Sequence, residues 1–159
     1  KPNSMARFGF ENSYLIMDNK VYIFTDGACR GNPGEGGWGA ILQNQNHEKE
    51  ISGYSSETTN NIMELTAVIK SVQAVKKPCD VILTTDSKYV QNGITKWIHN
   101  WKKNGWKTAN KKNVKNIELW TELDFLSNQF EINWNWVKAH STDKLNNQVD
   151  LIAREAANL

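Results

Sequence analysis

Val21-Tyr22-Ile23-Phe24-Thr25-Asp26-Gly27 is an apolar, β-forming run that stops on a carboxylate and a glycine. Runs of this kind fill the middle of a sheet and bring the residue at their end, here Asp26, to a surface crevice. Val81-Ile82-Leu83-Thr84-Thr85-Asp86-Ser87 repeats the design, so two separate strands each finish on Thr-Asp and a small residue. If the strands are neighbours, the two carboxylates meet. Two ionised carboxylates about 4 Å apart repel by roughly 4 kcal/mol at an effective dielectric near 20, so such a pair shares a proton or holds a cation. Two further acids, Glu64 and Asp150, fall where the same crevice can take them. Four converging carboxylates point to a hard divalent metal.

The rest of the composition narrows the class. At 159 residues, with 39% hydrophobic and 23% charged residues, the chain reads as one globular domain. No apolar run has the length of a membrane helix. Residues 1–19 carry no charged-then-apolar leader pattern and read as a flexible N-terminal extension, native or partly added; residues 20–159 form the domain. Cys29 and Cys79 are far apart and lack metal-ligand spacing, which fits two free thiols in a reducing, cytoplasmic setting. Net charge is only +2, but its distribution is uneven. From Ser87 to Ile117 there is no Asp or Glu, whereas Lys88, Lys96, Lys102, Lys103, Lys107, Lys111, Lys112 and Lys115 all fall inside. One basic face is built into a balanced molecule.

The remaining elements are expected in order. Gly31-Asn32-Pro33-Gly34-Glu35-Gly36-Gly37 reads as a turn-rich hinge, followed by strands over Trp38–Leu42 and Glu50–Ser56 in an antiparallel meander. The glycine loop leads into a strand, so it meets neither the dinucleotide nor the P-loop pattern. Thr58-Thr59-Asn60-Asn61 supplies cap residues for a helix to about Lys77, with Leu65, Val68, Ile69, Val72 and Val75 as its apolar stripe. Glu64 falls in its first turn, where an acid alone is a favourable dipole partner. Strand, helix and strand then make the Asp86 strand parallel to the Asp26 strand.

Ser87 caps a short helix to about Asn92, Gly93 interrupts it, and the basic run follows with Trp97, Trp101 and Trp106 interleaved. Two readings stand: a solvated lysine face over a tryptophan core, or a surface for a nucleic-acid backbone. A helix over Asn116–Asn128, a strand over Glu131–Val137 and a polar loop opening at Lys138-Ala139-His140 come next. A closing helix from about Asp143 carries Leu145, Val149, Ile152, Ala153 and Ala156 inward, with Asp150 beside that stripe. By itself Asp150 reads as a surface acid.

Taken together, these residues resemble a known family. Ile23-Phe24-Thr25-Asp26-Gly27 with Gly31-Asn32-Pro33-Gly34, then Thr59-Asn60-Asn61-Ile62-Met63-Glu64-Leu65, Thr85-Asp86-Ser87, and Trp136-Val137-Lys138-Ala139-His140 with Asp150 ten residues on, are similar to type 1 ribonuclease H of the bacterial kind over about Lys20 to Asn158. The resemblance implies an α/β ribonuclease H-like fold. Its five-stranded mixed sheet would have three antiparallel strands plus two parallel ones, flanked by helices with a basic helical protrusion. It implies a monomeric endonuclease that cuts the RNA strand of RNA–DNA hybrids, leaving 5′-phosphate and 3′-hydroxyl ends. Asp26, Glu64, Asp86 and Asp150 would bind two Mg²⁺ ions, with Mn²⁺ as a substitute, and His140 would handle protons or product release. Trp101, Lys102, Lys103, Trp106 and Lys107 would grip the DNA strand. Thr59 and Asn116 would hold a DNA phosphate, and Asn32, Asn60 and Asn61 would lie near the minor groove.

The chain departs from the family pattern at Glu57 and Ile62, where relatives often carry arginine, and at Ala139 and Thr142, where glycine is usual. Less backbone freedom follows at the last two positions. Rival readings are a hybrid-binding module without catalysis, an exonuclease or integrase-like enzyme of the same fold, and an aspartyl-phosphate phosphatase. Intact acids oppose the first and the lysine–tryptophan segment opposes the second. Ala28, standing where a phosphatase needs its second Asp, opposes the third.

Overall fold

The computed structural model describes residues 20–45, 47–139 and 144–159. His140, Thr142 and the extension 1–19 lie outside the described residues.

Strands β1 (Lys20–Cys29), β2 (Gly34–Asn44) and β3 (His47–Thr58) form the antiparallel meander. β1 pairs on its other side in parallel with β4 (Asp80–Thr85), which pairs in parallel with β5 (Glu131–Trp136). The sheet order is β3-β2-β1-β4-β5, the mixed five-stranded arrangement expected.

Alternation along the strands decides what each face buries. Register aligns Ile23 with Leu83 and Leu83 with Trp134, so the apolar side chains of three strands form one row. Helix α1 (Asn60–Gln73) covers that face, burying Leu65, Val68, Ile69 and Val72 at helical spacing. Each such side chain contributes about 1.5–3 kcal/mol on full burial. Short helix α2 (Lys88–Asn92) leads through one π-helical turn (Gly93–Trp97) into α3 (Ile98–Lys103), and α4 (Ile117–Ser127) packs against α1. On the opposite face α5 (Lys144–Ala156) lies across β1 and β2, burying Asn146, Val149 and Ala153. Among the described residues no helix is long and apolar enough to cross a membrane.

Several boundaries differ from expectation, each for a local reason. β1 does not stop at Asp26; the ladder with β2 continues to Cys29↔Gly36. Gly34–Gly37 therefore belongs to a strand, and the hinge shrinks to the residues around Asn32. α1 ends at Gln73 rather than near Lys77, because the Ala74 N–H closes the last turn on the Lys70 and Ser71 carbonyls ahead of Pro78. Gly93 does not interrupt the helix. It keeps right-handed helical backbone angles, and a Cβ there would sit 2.0 Å from Trp120 Cη2. Glycine is required for the close approach of an indole, and the extra residue of the π turn is accommodated where that indole presses in.

Candidate active site

Strand register assembles the site. The β1–β4 ladder ends at Phe24↔Thr84, so two residues further Asp26 on β1 stands level with Asp86, just past the end of β4. β4 stops while β1 runs on, and the gap beside β1 is the crevice. α1 then crosses above it. A Cβ on Gly27 would lie 2.6 Å from the Glu64 nitrogen, so only glycine lets α1 settle this close to β1. Glu64 is the fifth residue of α1, in the second turn and not the first, which removes the simple dipole explanation for its presence.

Carboxylate oxygens of Asp26, Glu64 and Asp86 lie within 4.8 Å of one another. The fourth acid, Asp150 on α5, reaches the group from the other side of the sheet and shares a hydrogen bond with Asp26. All four line one cleft of about 280 Å³ together with Gly27, Asn60, Ala139, Asn146 and Asn147. None of its described lining residues is a lysine or arginine.

Burial and like charge both tell on these acids. Asp26 is only 6% exposed, although the Gly27 N–H donates to its Oδ1 at 2.8 Å. Burial first, then the Asp86 charge and the shared hydrogen bond with Asp150, push its carboxyl up to about 8. Glu64 is also raised, mainly by burial. The Ser87 hydroxyl partly opposes this by donating to Glu64 Oε1 at 2.6 Å. Ser87 does two jobs at once, since its Oγ also accepts the Val90 N–H at 3.0 Å as the cap of α2. A hard, oxygen-only donor set in which each ionised pair would repel by about 3 kcal/mol at an effective dielectric near 20 fits a divalent cation, which would let all its members ionise together.

The other residues singled out from the sequence are distributed more widely. Asn60 lines the cleft and hydrogen-bonds Glu64, whereas Asn32 and Asn61 are exposed outside it. Thr59 caps α1, its Oγ1 accepting the Ile62 N–H at 3.2 Å, which leaves the hydroxyl proton available to donate. Asn116 adopts a left-handed conformation before α4, and its side-chain amide donates to Tyr89 Oη at 3.0 Å. In the basic segment every one of the eight lysines is exposed, while Trp97, Trp101 and Trp106 are half-buried. Trp101 touches Trp97, Trp106 and Trp120 with ring centroids 5.7, 6.2 and 5.4 Å apart. The arrangement is that of a solvated lysine face over a tryptophan core. Lys102 pairs with Asp124 at 3.2 Å and Lys107 donates to Asn113 Oδ1 at 2.6 Å.

Sequence reasoning missed Ser87 as an anchor of Glu64, and missed Asn146 and Asn147 as cleft residues. The signal for Asn146 was its position one helical turn before Asp150, which places the two on one face.

The family model described as RNase H matches residues 18–158. A relative named Ribonuclease H from Wolbachia pipientis wMel is 58% identical over 141 residues, covering 89% of this chain and 97% of its own length. Another of that name from Mesorhizobium japonicum is 59% identical over 139 residues, covering 87% of this chain and 78% of its own. Among solved structures, LC9-RNase H1, titled a type 1 RNase H with the type 2 active-site motif, superposes with a TM-score of 0.79 at 28% identity, covering 88% of this chain and 72% of that one. The chain belongs to the ribonuclease H family.

Proposed function

We propose that this enzyme cuts the RNA strand of RNA–DNA hybrids endonucleolytically, leaving 5′-phosphate and 3′-hydroxyl ends, with Asp26, Glu64, Asp86 and Asp150 holding two Mg²⁺ ions, for which Mn²⁺ substitutes. The observation that carries this reading is the convergence of four acids from β1, α1, the end of β4 and α5 on one cleft without a neutralising basic residue among its described lining. Bound divalent ions would activate the attacking water and stabilise the leaving 3′ oxygen. The chain's own contribution is placement. β1 and β4 set two carboxylates level, Ser87 and Asn60 hold the Glu64 side chain by hydrogen bonds, and burial of Asp26 keeps bulk water from screening the site.

Substrate grip follows from the surroundings. Thr59 and Asn116 offer a hydroxyl and an amide to a DNA phosphate. The exposed Lys102, Lys103 and Lys107, with Trp101 and Trp106, offer charge and ring faces to the DNA backbone, and Asn32, Asn60 and Asn61 face the minor groove. Ribose 2′-hydroxyls distinguish RNA from DNA through backbone near Asp26–Ala28 and Glu64. His140, outside the described residues, handles protons or product release, since an imidazole titrates near neutrality. Residues 20–159 act as a monomeric catalytic domain. The two free thiols Cys29 and Cys79 suit the cytoplasm.

Cleavage of one labelled strand in RNA–DNA hybrid, RNA duplex, DNA duplex and single-stranded RNA, each with Mg²⁺ and with chelator, tests this. Metal-dependent cutting confined to the RNA of the hybrid is expected. Hybrid binding without cutting would replace the enzyme with an inactive module.

A further inference from the structure

A second concavity opens at the far end of the sheet from the acid cleft. It has a volume of about 320 Å³ and lies between the start of β1, the β2–β3 turn and the chain leaving α1. Its floor is apolar: Val21, Leu42, Ala74, Val75 and Cys79. Leu42 belongs to the buried core, and Val21, Ala74, Val75 and Cys79 pack against that core while remaining half-open. None of the residues assigned above to hybrid cleavage lines this place. Glu64 and Ala74 are ten residues apart on and just past α1, about 15 Å along its axis.

The rim is predominantly cationic. His47, Lys49, Lys76 and Lys77 line it and are exposed. The one acid among the described lining residues, Glu48, accepts a hydrogen bond from Gln43 Nε2 at 2.8 Å. That hydrogen bond from a neutral amide leaves Glu48 charged, and the carbonyl end of α1 adds a partial negative charge of about one half; three ammonium groups outweigh the two together. An apolar floor inside a cationic rim selects a molecule with an apolar body and one anionic head. The volume is at the low end of the usual range for small-molecule sites, about 300–1,000 Å³, so the body is a single short chain or a pair of rings.

We propose that this concavity is a binding site for a small anionic amphiphile, whose apolar body lies on Val21, Leu42, Val75 and Cys79 and whose carboxylate, sulfonate or phosphate head meets Lys49, Lys76 and Lys77. The site is separate from the acid cleft, so occupancy needs neither metal nor nucleic acid.

Cys79 makes the site readable, because it sits in the floor while Cys29 lies elsewhere and serves as an internal control. The full-length protein is alkylated with iodoacetamide at rising sub-micellar decanoate, and modification of each cysteine is followed by mass spectrometry. With decanoate at ten times its dissociation constant, Cys79 alkylation is expected to slow about tenfold, with Cys29 unchanged. Decanol and decylamine, equal in chain length but without the anion, are expected to protect far less. The surface variant Lys49→Glu/Lys76→Glu/Lys77→Glu should lose the decanoate effect while keeping its melting temperature.

Equal protection by decanol, equal slowing at Cys29, or no protection at all would overturn the proposal. So would a Cys79 already shielded without decanoate and freed by dilution, which would make a second copy of the chain the occupant. A Cys79 freed only by Leu15→Asp/Ile16→Asp would likewise make the chain's own N-terminal segment the occupant.

Discussion

The acid cleft and the lysine–tryptophan segment from Lys88 to Asn116 both concentrate charge of one sign, and they do so in opposite ways. In the cleft, carboxylates from four places distant in sequence are drawn together, Asp26 buried and the other three half-buried, and Asp26 responds by holding its proton up to about pH 8. In the basic segment, eight lysines within one stretch of sequence splay into water, and the tryptophans between them turn inward, Trp97 against Tyr89, Trp101 against Trp120 and Trp106 against Trp101. Like charges in water cost little because the solvent screens them. Like charges out of water must be neutralised. The cleft is therefore poised for a compact, desolvated cation, whereas the lysine face keeps its charge hydrated, as the proposed contact with a nucleic-acid backbone requires.

The basic segment has its own strain. Trp106 carries φ +63° and Lys111 φ +64°, left-handed values that large side chains rarely adopt. Trp106 is kept there by its N–H to the Trp101 carbonyl, by ring contact with Trp101, and by a bridge between Lys107 and Asn113. Such strain costs on the order of 1–3 kcal/mol and persists only where surrounding contacts over-determine it. Packing of the tryptophans thus sets where the lysines point.

The sharpest way to break the contrast is Asp26→Asn. Removing one central carboxylate should lower kcat by about a thousandfold or more, roughly 4 kcal/mol of transition-state stabilisation, with hybrid binding still measurable by filter retention in chelator. Near-normal turnover would take Asp26 out of the metal site. Next in size is the combined Lys102→Ala, Lys103→Ala and Lys107→Ala variant, which should flatten the plot of log affinity against log salt by up to about 3 if each lysine meets a phosphate. An unchanged slope would leave these lysines as a solvated face only. Because Lys102 is already paired with Asp124, Lys102→Ala alone should contribute less than Lys103→Ala.

Gly93→Ala tests the tryptophan side of the comparison. Its Cβ would collide with the Trp120 ring, so a loss of about 1–3 kcal/mol is expected in urea unfolding. Unaltered stability would mean that the indole has room to move. The smallest effect concerns the cleft without metal. Asp26 has a folded-state pKa above its unfolded value, so between about 4 and 8 the folded state binds the proton more tightly and stability falls as pH rises. In chelator the melting temperature should decline from pH 5 to pH 8, and Asp26→Asn should flatten that decline. Adding Mg²⁺ should raise the wild-type melting temperature more at pH 8 than at pH 5. A metal-free melting temperature that instead rises over this range would show that Asp26 ionises freely in the fold.

Much of the sheet was legible because β1, β4 and the stripe of α1 each carry an uninterrupted periodic signal, and period is a local property of the chain. Glycines misled wherever neighbours override their preference: Gly34–Gly37 became strand through pairing with β1 and β3, and Gly93 stayed helical under Trp120. Among the candidate acids, Asp26 and Asp86 could be paired from two matching strand ends. Glu64 and Asp150 look like ordinary surface acids one at a time. Ser87 and Asn147 gave no signal, since capping serines and helical asparagines are common, and Asn146 gave only its spacing from Asp150.

The sequence by itself determined most of the strands and helices, that two separate strands each end on a carboxylate, and that one stretch is basic and rich in tryptophan. Each of these follows from residues near one another in the chain. Only the tertiary structure decided that β4 stops where β1 continues, that α1 approaches closely enough over Gly27 to bring in Glu64, and that α5 reaches Asp26 with Asp150 from the other side. It also decided the proton on Asp26, because a pKa depends on burial and on neighbouring charge, and neither exists until the chain has folded.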